Sequence, residues 1–131
     1  MSIRVLLVDD HKIVRQGLRS LIEGITDIEV AAEAENGLDA VKLARETNPD
    51  VVVMDIGLPD ISGVEATRQI ISENPEAKVL ALSMHSDQQY AESFLDAGGK
   101  GYVCKENAFD ELGQAIRSVY ANETHVSSKV R

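Results

Sequence analysis

The chain has 131 residues, of which 44% are hydrophobic and 27% charged, with a formal net charge of −9; this fits one globular domain and is too short for two of ordinary size. No apolar run approaches the roughly 20 residues needed to cross a bilayer. The single cysteine, Cys104, cannot form an internal disulfide, and an acidic chain lacks the concentrated Lys/Arg surface with which proteins grip nucleic acid.

In chain order, the first strand is predicted over Ile3 to Val8 and runs into Asp9 and Asp10. These two charges interrupt the apolar run too early for a signal peptide, so a cytoplasmic protein without membrane contact is expected. A helix follows His11, with Ile13, Val14, Leu18, Leu21 and Ile22 at helical spacing and Gly24 near its end. Ile28 to Ala34 alternates apolar residues with Glu29 and Glu33, the pattern of an edge strand. Asn36-Gly37 opens a second helix with Leu38, Val41 and Ala44 on one face, and Asn48-Pro49 stops it.

The third strand, Val51 to Met54, ends on Asp55, and Gly57-Leu58-Pro59-Asp60 is a loop by its turn residues. Ser62-Gly63-Val64-Glu65 has the form of a capping box for a helix that buries Val64, Thr67, Ile70 and Ile71. Lys78 to Ser83 is the fourth strand, and the helix after it carries Tyr90, Ala91, Phe94 and Leu95 before ending near Gly98-Gly99. A short fifth strand ends at Cys104 and is followed by Lys105. Asn107 caps a last helix with Phe109, Leu112, Ala115, Ile116 and Val119 on its buried stripe. Residues 122–131 are polar, show no apolar period, and read as a linker or frayed terminus.

Strict alternation of strands and helices with short connections implies right-handed crossovers and a doubly wound α/β fold. The expected architecture is a flavodoxin-like (βα)5 sandwich with a five-stranded parallel sheet in the order 2-1-3-4-5. Parallel strands end on a common edge, and in such sheets ligands bind at that carboxyl edge. Asp9, Asp10, Asp55, Ser83 and Lys105 should therefore meet there. Three carboxylates at adjacent strand ends repel one another, by about 4 kcal/mol per pair at 4 Å and an effective dielectric near 20, and so call for a cation. Oxygen-only donors with no neighbouring His or Cys pair favour a hard ion, Mg²⁺ carrying its own waters. A metal, an ammonium and a hydroxyl beside a carboxylate are the parts needed to bind a phosphoryl group, with Asp55 placed to become an aspartyl phosphate.

Four stretches, Val8-Asp9-Asp10-His11, Met54-Asp55-Ile56-Gly57-Leu58-Pro59, Leu82-Ser83-Met84-His85 and Gly101-Tyr102-Val103-Cys104-Lys105, together resemble the receiver domain of two-component response regulators. The resemblance runs from Ile3 to about Tyr120. It implies that Asp55 accepts phosphate from a phosphohistidine on a sensor histidine kinase, and that Asp9 and Asp10 hold Mg²⁺ with Asp55 and the backbone carbonyl of Gly57. It further implies that Lys105 pairs with the phosphoryl oxygens, that Ser83 is the switch hydroxyl, and that Tyr102 is the switch aromatic, turning inward as Ser83 moves. Gly57 and His85 would flank the phosphoryl group and tune its hydrolysis. The domain would be a switch rather than a turnover enzyme, taking phosphate from small donors and losing it again, with phosphorylation raising homodimerisation.

Leu82-Ser83-Met84-His85 and the ending through Gly113-Gln114-Ala115-Ile116 look most like receivers of the LuxR/FixJ/NarL class of transcription factors. That likeness implies a receiver over residues 1–121, the start of a linker over 122–131, and DNA binding only through a helix-turn-helix domain absent from this chain. A stand-alone receiver acting through protein contacts is the alternative. A haloacid-dehalogenase-type phosphohydrolase would want an aspartate where Gly57 stands. A flavodoxin-type FMN carrier would want a hydroxyl- and glycine-rich loop where Asp9-Asp10-His11 stands. His11 is read as a solvated residue beside the site, and Cys104 as a small buried apolar one.

Overall fold

In a computed structural model that describes residues 2–58, 60–83, 88–105 and 108–126, strands and helices alternate along the chain. They are β1 (Ile3–Val8), α1 (Lys12–Glu23), β2 (Ile28–Ala34), α2 (Gly37–Thr47), β3 (Val51–Asp55), α3 (Gly63–Glu73), β4 (Val79–Ser83), α4 (Gln88–Asp96), β5 (Gly101–Cys104), α5 (Ala108–Tyr120) and β6 (His125–Val126). The sheet is parallel with strand order β2-β1-β3-β4-β5-β6. The flavodoxin-like order expected for the first five strands is the one observed. The sixth is an addition: His125 and Val126 pair with Gly101 and Tyr102, inside the stretch read as a linker. Two residues are too few to carry a period, so no pattern in the sequence announces them.

The continuous apolar runs of β1, β3 and β4 are buried on both faces, as parallel strands covered by helices must be. Alternate side chains divide the core. Val5, Leu7, Val53, Leu80, Leu82 and Val103 pack under α1 and α5, whereas Leu6, Val8, Val52, Met54, Ala81 and Tyr102 pack under α2, α3 and α4.

The helix starts follow their caps. Asn36 and Ser62 accept the backbone N–H groups of Asp39 and Glu65, which satisfies donors the first turns would otherwise leave open. The capping box at α3 is half made, because the Glu65 carboxylate accepts from Arg68 and Gln69 instead of turning back to the cap. Asn48 ends α2 in the left-handed region at φ 46°.

Two apolar stripes start later than expected. Ile13 is 83% exposed and Val14 also faces solvent, so α1 buries only Leu18 and Ile22 fully; Leu38 in the first turn of α2 is exposed as well. These first turns stand at the rim of the sheet, just past the strand ends, where there is less core to meet. Asn107 lies outside the described residues, as do the side chains of Tyr90 and Phe109. No helix among the described residues is long and apolar enough to cross a membrane.

The start of α3 sits directly on the end of β3. A Cβ at Gly63 would lie 2.5 Å from the carbonyl oxygen of Asp55 and 2.6 Å from Cα of Ile56. Both neighbours are backbone, so they cannot rotate away. Gly63→Ala is expected to lower stability by about 1–3 kcal/mol, the usual cost of overpacking. Urea unfolding would show it as a lower midpoint, and an unchanged midpoint would mean that the helix start moves freely.

Candidate functional site

The strand register brings the polar residues to one edge. Val8 pairs with Met54, Asp55 with Leu82 and Ser83 with Cys104, so the residues after β1 and β5 flank the last residues of β3 and β4. Asp9 is fully buried and Asp55 is 4% exposed. The Nζ of Lys105 reaches both, at 3.1 Å from Asp9 Oδ2 and 3.3 Å from Asp55 Oδ2. The other Asp55 oxygen accepts the backbone N–H of Gly57 at 3.1 Å, and Asp9 Oδ1 accepts the N–H of His11 at 2.9 Å. Each carboxylate is thus held by one main-chain donor and faces the ammonium with its second oxygen.

Three carboxylates cluster here and the Lys105 ammonium contacts two of them, Asp9 and Asp55, so the cluster carries excess negative charge. Burial pushes the carboxyl of Asp55 above the usual carboxylate range; the charge of Asp9 acts in the same direction, and Lys105 and the Gly57 N–H oppose it. Asp9 Oδ2 and Asp10 Oδ1 are shielded from solvent yet accept no hydrogen bond of good geometry. Their contacts are undirected ion pairs, to Lys105 and, at 3.2 Å, to His11 Nδ1. Leaving buried acceptors unsatisfied costs about 1–3 kcal/mol each, more when charged. One ligand atom each from Asp9, Asp10, His11 and Asp55 lies within 4.8 Å of the others. A donor set dominated by carboxylate oxygens, with lone pairs left over, fits a hard divalent cation.

Ser83 ends β4 beside this cluster and is buried. Tyr102 is also fully buried, with its ring edge-to-face against Phe94 at 6.4 Å between centroids and 64° between planes. The expectation that Tyr102 moves from an outward position to an inward one meets a ring that is already inside, packed among α4 and β4 residues. Gly57 is exposed in the loop after β3, and His85 lies outside the described residues.

Two residues that the sequence did not single out help to shape the site. Arg15 donates from Nη1 to the carbonyl oxygen of Asp9 at 2.7 Å, while its Nε pairs with Glu33 at 2.9 Å, tying the end of β1 to β2. Asp60 accepts the N–H groups of Gly37 and Leu38 at 2.8 and 2.9 Å, so the loop after Asp55 is moored to the N-terminus of α2, where a carboxylate is electrostatically favoured. Asp60 was visible only as a turn residue; a partner 22 positions away leaves no local signature.

Comparison with known proteins agrees with this geometry. A family model described as the response regulator receiver domain matches residues 5–117. The chain is 42% identical over 128 residues to the response regulator UvrY of Escherichia coli strain K12, covering 98% of this chain and 59% of that protein. It is 39% identical over 129 residues to the transcriptional regulatory protein DegU of Brevibacillus brevis, covering 98% of this chain and 55% of that protein. The chain thus spans little more than half the length of these curated relatives. Among solved structures, a two-component response regulator of the LuxR family from Aurantimonas sp. SI85-9A1 superposes with a TM-score of 0.96 at 42% identity, covering 99% of this chain and 93% of that one.

Proposed function

This chain belongs to the response regulator receiver domain family, as a receiver of the LuxR class of two-component regulators, and we propose that Asp55 is its phosphoacceptor, charged by a phosphohistidine on a sensor histidine kinase. The observation that carries the reading is the single ammonium of Lys105 held within 3.3 Å of both Asp55 and Asp9 at the carboxyl edge. In the transfer, a bond forms from an Asp55 oxygen to phosphorus as the donor's P–N bond breaks, its electron pair returning to the imidazole. Lys105 neutralises a phosphoryl oxygen, and the Gly57 N–H holds the second Asp55 oxygen in place. Asp9, Asp10, Asp55 and the backbone carbonyl of Gly57 would hold Mg²⁺, which supplies positive charge to the phosphoryl oxygens and satisfies the open carboxylate lone pairs.

Ser83 then hydrogen-bonds the phosphoryl group. Its displacement is transmitted through Tyr102 and Phe94, which are in ring contact, to the surface of α4, a two-state shift driven by one charged group. His85 and Gly57 would set how fast the phosphate is lost. The receiver, read over residues 1–121, takes in His125 and Val126 as its last strand, and the linker to a DNA-binding output, read over 122–131, follows that strand, so that in the cytoplasm phosphorylation controls transcription and raises self-association through a helix face. The likeness to a protein named as a transcriptional regulatory protein supports that output.

Incubation with acetyl phosphate, read by intact mass, tests the site. A gain of one phosphoryl group with Mg²⁺ and none with EDTA is expected. Equal gain in EDTA would remove the metal from the reading, and no gain in either condition would remove the phosphoacceptor.

A further inference from the structure

The ends of α2 and α3 meet at the amino edge of the sheet, the edge opposite Asp55, and leave between them a pocket of about 390 Å³. Its floor is apolar: Val41, Val52 and Ile70 are buried and Ala44 half-buried. Its rim is Arg45 of α2 and Glu73 of α3, which bridge the two helices by a pair of 2.8 Å hydrogen bonds from Nε and Nη2 to the two carboxylate oxygens. An apolar floor of this size with a few charged groups at the rim has the form of a small-molecule site.

The charges at the rim run against the helices. Glu73 stands in the last turn of α3, a turn with no basic residue, where the helix dipole disfavours an anion and favours a cation. The Asn74 N–H makes the last bond of α3, to the Ile70 carbonyl, and Pro75 has no N–H to give to Ile71. In the same way α2 closes with the Asn48 N–H on Ala44, and Pro49 has none for Arg45. Two carbonyl ends thus gather at one pocket. At α2 a cation answers them, because Arg4 Nη1 donates to the carbonyl oxygens of Thr47 and Asn48 at 3.0 and 3.2 Å. Among the described residues no side chain does this for α3, and Arg45, the one cation lining the pocket, is engaged by Glu73.

We propose that this pocket binds a small primary amine with an apolar body, the body lying on Val41, Val52 and Ile70 and the ammonium meeting Glu73 and the carbonyl end of α3. Each Glu73 oxygen keeps a lone pair after its bond to Arg45, and an ammonium has three donors to share between that carboxylate and the open helix carbonyls. A carboxylate or phosphate ligand would instead bring like charge to those carbonyls. The bound amine ties α2 to α3 at the edge away from Asp55, so its binding needs neither Mg²⁺ nor phosphorylation.

Methyl NMR of the labelled chain, titrated at neutral pH and low salt with phenethylamine and with its neutral counterpart phenethyl alcohol, tests the proposal. Saturable shifts of the Val41, Val52 and Ile70 methyls are expected with the amine, at an affinity about fivefold or more above that of the alcohol. Glu73→Gln, a change at an exposed pair, should remove that preference, and Ala44→Leu should fill the pocket and abolish binding of both probes. Absence of saturable shifts with the amine in wild type overturns the proposal, as does equal affinity for amine and alcohol. A preference for the amine that survives Glu73→Gln also overturns it, and so does binding that persists in a folded Ala44→Leu chain, because the ammonium or the body would then lie elsewhere.

Discussion

Asp55→Asn will abolish phosphoryl labelling and, in the same protein, raise the stability of the metal-free fold at neutral pH. The first effect follows from chemistry, because a neutral amide offers no carboxylate oxygen to phosphorus. Stoichiometric labelling of the variant would show that the acceptor lies elsewhere. The second follows from burial, which holds the Asp55 carboxyl above its unfolded value. An acid raised in this way contributes most below the unfolded carboxylate range and loses that contribution as pH rises through its folded value. The variant has no such proton to lose. Its melting temperature should therefore gain on wild type as pH is raised from acid to neutral in EDTA, and Mg²⁺ should narrow the gap by stabilising the wild-type carboxylate. A gap that shrinks with rising pH would contradict the assigned sign.

Lys105→Met is expected to destabilise the metal-free protein by about 3 kcal/mol or more, the scale for removing one partner of a buried ion pair. Asp9 is fully buried and Asp55 nearly so, and Lys105 is the cation that pairs with both. Methionine keeps much of the stem and removes only the charge, so packing changes little. Because Lys105 draws the Asp55 carboxyl downward, its loss lets burial push that carboxyl further up. Added Mg²⁺ should return part of the lost stability. Phosphoryl transfer should still slow by about 10²–10³, the usual effect of removing one charge-stabilising donor. Urea unfolding with and without EDTA measures the first effect and intact mass against time the second; a variant as stable as wild type in EDTA would mean that the buried carboxylates are neutralised by another route.

The strands were legible because Leu6-Leu7-Val8, Val52-Val53-Met54 and Leu80-Ala81-Leu82 are buried on both faces, and an uninterrupted apolar run ending on a polar residue carries that information locally. The meeting of Asp9, Asp10, Asp55 and Lys105 was legible for the same reason: parallel strands leave one choice of edge. What escaped was tertiary. Ile13 and Leu38 have the right spacing for burial but stand at the rim, and spacing does not tell where the sheet stops. The Arg15 grip on the Asp9 carbonyl and the Asp60 mooring on α2 join segments distant in sequence. The full burial of Tyr102 depends on how Phe94 lies across it, and Phe94 has room only because Gly99, whose Cβ would come within 2.0 Å of the ring, has no side chain.

The two-residue β6 has a consequence for assembly. Without it, Gly101 and Tyr102 would offer unpaired main-chain groups on a buried apolar strand, a template on which another chain could add. His125 and Val126 occupy that template from within. At the opposite margin, β2 carries one extra residue, Ala31, where its register with β1 shifts between Val5 and Leu6, and bears Glu29 and Glu33; an irregular, acidic margin is a poor partner for a flat strand. The sheet thus ends in a two-residue strand on one side and in an irregular, acidic strand on the other, and each margin is a poor template for end-to-end polymerisation.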